Sequence, residues 1–124
     1  MPKKPTKVTI YHNPRCSKSR QTLELITESG SAHTIVLYRD ESPDANTIAG
    51  LAEKLGVAVA DLLRRGESEF KEATDLPDLN DNAALAEWLS LHPTVLERPI
   101  VIHDATGKAV MGRPPENVLE LLSR

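Results

Sequence analysis

Cysteine is almost missing from this sequence: its 124 residues include one, Cys16. A single thiol rules out a disulfide within the chain and any zinc site built on several cysteines. Aromatic residues are nearly as scarce, with one Trp, two Tyr and one Phe. That argues against a platform on which nucleic-acid bases stack. There is no excess of positive charge either. Fifteen Lys and Arg stand against 18 Asp and Glu, for a net charge of -3, whereas sequence-independent nucleic-acid binding needs many cations on phosphate. No apolar run approaches the ~20 residues of a membrane span. The basic start, Met1-Pro2-Lys3-Lys4-Pro5-Thr6-Lys7, has no apolar stretch behind it that would make a signal peptide. The expectation is a cytoplasmic protein with no nucleic-acid or membrane partner. The length suits one compact domain whose core needs no metal or disulfide staple.

What is present alternates between two periods. Val8-Thr9-Ile10-Tyr11 reads as a first strand, broken by His12-Asn13-Pro14-Arg15. A helix is predicted to begin around Cys16-Ser17, with Thr22, Leu23 and Ile26 on one face and Ser29-Gly30 as its stop. Thr34 to Tyr38 reads as a second strand, which makes a βαβ unit and favours a parallel pair. From about Ser42 to His92 the pattern is all helical. Ser42-Pro43 serves as N-cap and first-turn proline, followed by Ile48, Leu51, Ala52 and Leu55, with Gly56 closing the helix. A shorter helix is predicted over Val59 to Arg65, stopped by Gly66. Another starts at the Asn80-Asp81 cap, runs through Leu85, Trp88 and Leu89, and ends before His92-Pro93. Pro99 to His103 and Lys108 to Gly112 read as an antiparallel hairpin about the turn Asp104-Ala105-Thr106-Gly107. Arg113-Pro114-Pro115-Glu116 opens a last helix with Val118, Leu119 and Leu122 inward. The order is β-α-β, helices, β-β-α: an α/β chain with a mixed small sheet and a helical insertion (42–96) between two halves of a core (7–41 and 97–123).

A lone Cys is usually a small buried hydrophobe. Cys16, however, falls where a strand hands over to a helix, and backbone N–H groups and the helix dipole make such places electropositive. His12, Arg15, Lys18 and Arg20 add polar and cationic character. That setting favours anion binding and predicts a thiol titrating below the free value of about 8.5. Two familiar thiol motifs are absent. A Cys-x-x-Cys would need a cysteine where Ser19 stands, and a phosphatase-type Cys-x5-Arg loop would need an arginine where Thr22 stands. The remaining reading is an anion-reactive thiol outside both patterns. His33, His92 and His103 are scattered and show no metal spacing, so no metal is expected.

Four segments carry a resemblance: His12-Asn13-Pro14-Arg15-Cys16-Ser17-Lys18-Ser19-Arg20 with Thr22-Leu23, then Leu62-Leu63-Arg64, Glu97-Arg98-Pro99-Ile100-Val101, and Gly112-Arg113-Pro114-Pro115-Glu116. In this order and spacing, from Lys7 to Leu122, the chain resembles the ArsC family, the glutaredoxin-coupled arsenate reductases. The stretch after the cysteine, Ser17-Lys18-Ser19-Arg20, differs from the Gly-Thr-Ser-Arg of the best-known members. The resemblance implies a thioredoxin-like fold with a helical insertion, and Cys16 as nucleophile. It also implies that Arg64, Arg98 and Arg113 bind the oxyanion, that His12 sits by the thiol, and that Pro99 has a cis peptide bond. It implies arsenate as substrate, no bound cofactor, and glutathione with glutaredoxin as the source of electrons.

Each accessory residue also has a plainer reading. Arg64 in the last turn of a short helix would simply suit the dipole, and Arg65 is its rival as ligand. Arg98 and Arg113 have the positions of surface cations, Arg20 reads as a local electrostatic residue, and Trp88 as core. Two other functions fit the same superfamily: an Spx-like redox or transcriptional interaction protein that binds RNA polymerase, and a general glutathione-dependent thiol oxidoreductase. The interaction proteins commonly carry the Cys-x-x-Cys that Ser19 interrupts here.

Overall fold

The computed structural model describes residues 7–97 and 99–122. The chain divides into two compact units. One is formed by its two ends, up to Leu37 and from Arg98 onward, and the other by Tyr38–Glu97 between them.

In the first unit four strands make one sheet: β1 (Lys7–Tyr11), β2 (Ala32–Val36), β3 (Ile100–His103) and β4 (Ala109–Met111). Their order is β2-β1-β3-β4. β1 and β2 are parallel, as the intervening helix α1 (Ser17–Glu28) requires, and β1-β3 and β3-β4 are antiparallel. β2 begins two residues ahead of the predicted 34–38. Its register explains why: the five residues of β1 pair with Ala32 through Val36, leaving Leu37 and Tyr38 beyond the ladder. Val8 and Ile10 from β1, Ile26 from α1, Val101 from β3, and Val118 and Leu121 from the C-terminal segment form a buried apolar cluster. The core side of the sheet is thus β-branched, as strand propensity favours.

Of the expected inward face of the C-terminal segment, Val118 is buried and Leu122 packs half-buried against the same cluster, but Leu119 is corrected. It opens as a 3-10 turn (Pro115–Val118) and continues as α5 (Leu119–Leu122). With three residues per turn at the start, Pro115, Val118 and Leu121 line up at i, i+3 and i+6 and are buried, while Leu119 is turned outward.

The second unit holds α2 (Ala45–Leu55), a 3-10 turn (Val59–Leu62), α3 (Ser68–Lys71), α4 (Asn82–Leu91) and a 3-10 turn (Pro93–Val95). Ile48, Leu51 and Ala52 of α2 are buried, as are Leu85, Ala86, Trp88 and Leu89 of α4. α2 is capped by Asp44, not Ser42: the Asp44 carboxylate accepts the Thr47 N–H at 2.8 Å. The Ser42 hydroxyl instead donates to the Ser90 carbonyl at 2.5 Å. Gly56 ends α2 at φ 73°, a left-handed position that suits glycine. α4 is capped by Asp81 through the Ala84 N–H at 3.1 Å. Trp88 is buried, stacks on His92 with ring centroids 4.2 Å apart, and donates its indole N–H to Asp75 at 2.9 Å.

The short helix predicted over Val59 to Arg65 is a single 3-10 turn that stops at Leu62. Leu63 is extended (φ -83°, ψ 130°) because it pairs with Leu96 in an antiparallel bridge. The one-turn helix α3 was not foreseen; a single turn carries too little periodicity to read. Among the described residues no helix is long and apolar enough to cross a membrane.

Candidate active site

Cys16 is held by the hand-over from β1 to α1. The His12 N–H extends the sheet, donating to the Val36 carbonyl at 2.9 Å. The next four residues close a turn in which the Cys16 N–H donates to the Asn13 carbonyl at 3.0 Å. Pro14 takes the second position of that turn, where its fixed φ is suited. The Asn13 side-chain oxygen accepts the Arg15 N–H at 3.0 Å, a local turn that asparagine favours. Cys16 then becomes the N-cap of α1, in extended geometry (φ -96°, ψ 122°). Its carbonyl accepts the Arg20 N–H at 3.0 Å. No acidic residue lies in the first turn of α1, so no carboxylate there offsets the positive end of its dipole. The side chain is half-buried.

Ser19 organises this turn from below. It is fully buried on α1, its hydroxyl oxygen accepts the Asn13 N–H at 3.0 Å, and it lies 2.6 Å from His12 Nδ1. Sequence reasoning had used Ser19 only as the missing second cysteine. A serine at i+3 from an N-cap gives no sign that it will turn inward onto a histidine just past the preceding strand. His12 is itself buried, and burial, followed by the nearby Arg20 guanidinium, holds its imidazole below the ordinary value of 6.5. At neutral pH His12 is therefore uncharged, and what it offers its surroundings is a hydrogen bond, not a cation. Arg20 is exposed and donates to the Pro14 carbonyl at 2.8 Å, bracing the turn.

The four segments singled out in the sequence are linked in two sets. Within the first unit, Gly112 touches both the cysteine helix and Pro99. Its N–H donates to the Pro99 carbonyl at 2.8 Å, and a Cβ placed on it would stand 2.6 Å from Pro99 Cγ and 2.6 Å from Thr22 Oγ1. Only glycine allows this approach. Thr22 is buried and its hydroxyl donates to the Lys18 carbonyl at 2.8 Å. Arg113 follows Gly112, is exposed, and is joined to Pro114 by a cis peptide bond. Arg98 lies outside the described residues, and so does the bond that would make Pro99 cis.

Within the second unit, Leu62-Leu63-Arg64 lies antiparallel to Val95-Leu96-Glu97. The Arg64 N–H donates to the Val95 carbonyl at 2.7 Å and the Glu97 N–H to the Leu62 carbonyl at 2.6 Å. Arg64 therefore follows an extended residue and does not sit in a helix's last turn, so the helix-dipole reading of it falls. Its guanidinium faces two carboxylates, Glu97 at 3.5 Å and Glu67 at 3.7 Å. Arg65, its rival, is exposed. Among the described residues no three His, Cys, Asp or Glu side chains group as a metal site would require.

Residues 11–121 match the model of the ArsC family. Over 117 residues the chain is 45% identical to an arsenate reductase of Neisseria meningitidis serogroup A, covering 93% of this chain and 97% of that one. It is also 45% identical over 116 residues to an uncharacterized protein, YfgD, of Escherichia coli K12, covering 93% and 96%. The solved structure of an arsenate reductase from Vibrio cholerae superposes with a TM-score of 0.83 at 39% identity, covering 95% of this chain and 99% of that one. The mixed four-stranded sheet with its helical insertion is the thioredoxin-like fold of these relatives. With a family match over nearly all its length, relatives of this identity and the same fold, the chain belongs to the ArsC family.

Proposed function

We propose that this protein is a cytoplasmic arsenate reductase in which Cys16 is the nucleophile, with glutathione and glutaredoxin supplying the electrons. The observation that carries the reading is the position of Cys16 at the N-cap of α1, on a turn braced by Asn13, Ser19 and Arg20. Backbone amides and the helix dipole favour a thiolate there and an anion beside it. The names of the Neisseria and Vibrio relatives support arsenate as that anion.

The Cys16 thiolate attacks arsenic and displaces one oxygen as water, giving a covalent thiol-arsenate adduct. Arg64, Arg98 and Arg113 serve the oxygens, for which the planar guanidinium fork is well matched. Neutral His12 and Arg20 support the thiol's surroundings. Reducing arsenic(V) to arsenic(III) takes two electrons. The chain has no second cysteine, so two external thiols give them up and leave as a disulfide. Glutathione joins the adduct, glutaredoxin reduces it, and arsenite is released. The net change is arsenate plus two thiols to arsenite, disulfide and water.

The test is NADPH oxidation by purified protein with glutathione reductase, glutathione, glutaredoxin and arsenate. Turnover that depends on arsenate and disappears in Cys16→Ser supports the reading. Equal activity on a simple mixed disulfide without arsenate would replace it with a general thiol oxidoreductase.

A further inference from the structure

Arg64 meets two carboxylates of its own unit. Its Nη1 lies 3.5 Å from Glu97 Oε1 and its Nε lies 3.7 Å from Glu67 Oε2. Each of these carboxylates competes with any further anion for the same guanidinium. Both distances exceed the ~2.7–2.9 Å of a fully formed charge-assisted bond. The pairing is thus Coulombic and loose, and a ligand able to grip the fork at short range will replace it.

The two carboxylates are not equivalent. Glu97 faces Arg64 across a pair of backbone hydrogen bonds, Arg64 N–H to the Val95 carbonyl and Glu97 N–H to the Leu62 carbonyl, flanking the Leu63-Leu96 bridge. The backbones of Arg64 and Glu97 are thereby fixed on adjacent segments, and any exchange of partners takes place by side-chain rotation alone. The side chains are only 26% and 25% exposed, so water screens the pair less than it would an open surface pair. Glu67 is a local i, i+3 partner, farther away and more exposed.

We propose that Glu97 is a specificity-determining residue for the oxyanion: its carboxylate holds Arg64 when no substrate is bound and must be displaced for substrate to bind. This rests on the reading of Arg64 as an oxyanion ligand. The consequence is selection by charge. A tetrahedral oxyanion with one to two negative charges and several oxygens displaces the carboxylate, and a weaker monovalent anion does not. Arsenite is uncharged at neutral pH, so Glu97 regains Arg64 once reduction is complete, and the product leaves without opposition.

The experiment is titration calorimetry of the full chain with arsenate in the absence of thiols, alongside the arsenate KM in the coupled assay. Glu97→Gln is near-isosteric and keeps the backbone rung. It is expected to tighten arsenate binding roughly threefold or more, the size of one ion pair removed as competitor, and to lower KM in parallel. Glu97→Ala, read beside it with a thermal melt of each variant, gives the same direction if the glutamine variant folds poorly. In an Arg64→Ala background, Glu97→Gln is expected to change nothing. If Arg64→Ala weakens arsenate binding but neither Glu97 variant tightens it, the competition by Glu97 is overturned and the role of Arg64 stands. A gain that persists without Arg64 also overturns it. If Arg64→Ala leaves binding unchanged, Arg64 is not a ligand, and both readings fall.

Discussion

His12 Nδ1 and Ser19 Oγ lie 2.6 Å apart in a buried pocket between the end of β1 and the first turn of α1. That oxygen also accepts the Asn13 N–H, and Nδ1 is the acceptor that the geometry offers the serine's own proton, an arrangement that puts the imidazole proton on Nε2. Nitrogen-15 chemical shifts of His12 are expected to show a neutral ring at pH 7 with hydrogen on Nε2. Ser19→Ala leaves both Nδ1 and the Asn13 N–H without this partner and is expected to cost about 1–3 kcal/mol in a denaturant melt. A melt unchanged within error would mean that the hydroxyl does not organise the turn.

The same histidine sets a direction for pH. Burial and Arg20 lower its folded-state pKa below the 6.5 of the free side chain. Between those two values the unfolded chain binds a proton that the folded chain refuses. The contribution of His12 to stability is therefore fully present above about 6.5 and is lost as pH falls toward the folded value. Comparing melts of the native protein and His12→Gln across this range isolates it: the acid-side slope is expected to be shallower in the variant.

Gly112→Ala tests the contact that joins the Gly112-Arg113 segment to α1. The added methyl would meet Pro99 Cγ and Thr22 Oγ1, neither of which is the end of a flexible chain. Destabilisation of about 1–3 kcal/mol is expected from overpacking, with a loss of arsenate turnover from displacement of Arg113. A variant as stable and active as the parent would show that the approach is not required.

Neutral replacement of Arg64, Arg98 or Arg113 is expected to weaken arsenate binding or the transition state by at least ~1.5 kcal/mol, as for hydrogen bonds to charged groups. Lysine is expected to restore only part, because it lacks the planar fork. Steady-state kinetics of the alanine and lysine variants measure both, and unaltered kinetics in Arg98→Ala would remove that residue from the oxyanion's ligands.

The single thiol makes the proposed electron source testable. Ser19 stands where a resolving cysteine would be, and a hydroxyl does not take part in thiol exchange. Turnover is expected to need glutathione and to rise strongly with glutaredoxin. Thioredoxin with its reductase, supplied alone, is expected to be a poor substitute. Steady turnover under that last condition would disprove the proposed resolving step.

Much of the architecture was legible because it rests on local chemistry. The parallel β-α-β start, α4 with its Asp81 cap and the C-terminal hairpin each announce themselves through side-chain period, a cap or a turn within a dozen residues. So does Cys16 at a strand-to-helix junction. Where two local signals competed, packing chose. Asp44 caps α2 because Ser42 is drawn to the Ser90 carbonyl. The 3-10 turn ends at Leu62 because Leu63 finds Leu96.

The order of the strands and main helices, the place of the lone thiol between a strand and a helix, and the lack of a second cysteine thus belong to the sequence by itself, since neighbours in the chain and a residue count suffice for them. Ser19 turned onto His12, Gly112 pressed against Thr22 and Pro99, and Arg64 held by Glu97 belong to the tertiary structure. Their sequence separations are 7, 90 and 33 residues for the Ser19-His12, Gly112-Thr22 and Arg64-Glu97 pairs. No period or motif encodes such pairings, because each depends on which distant backbones the core brings within a few ångströms.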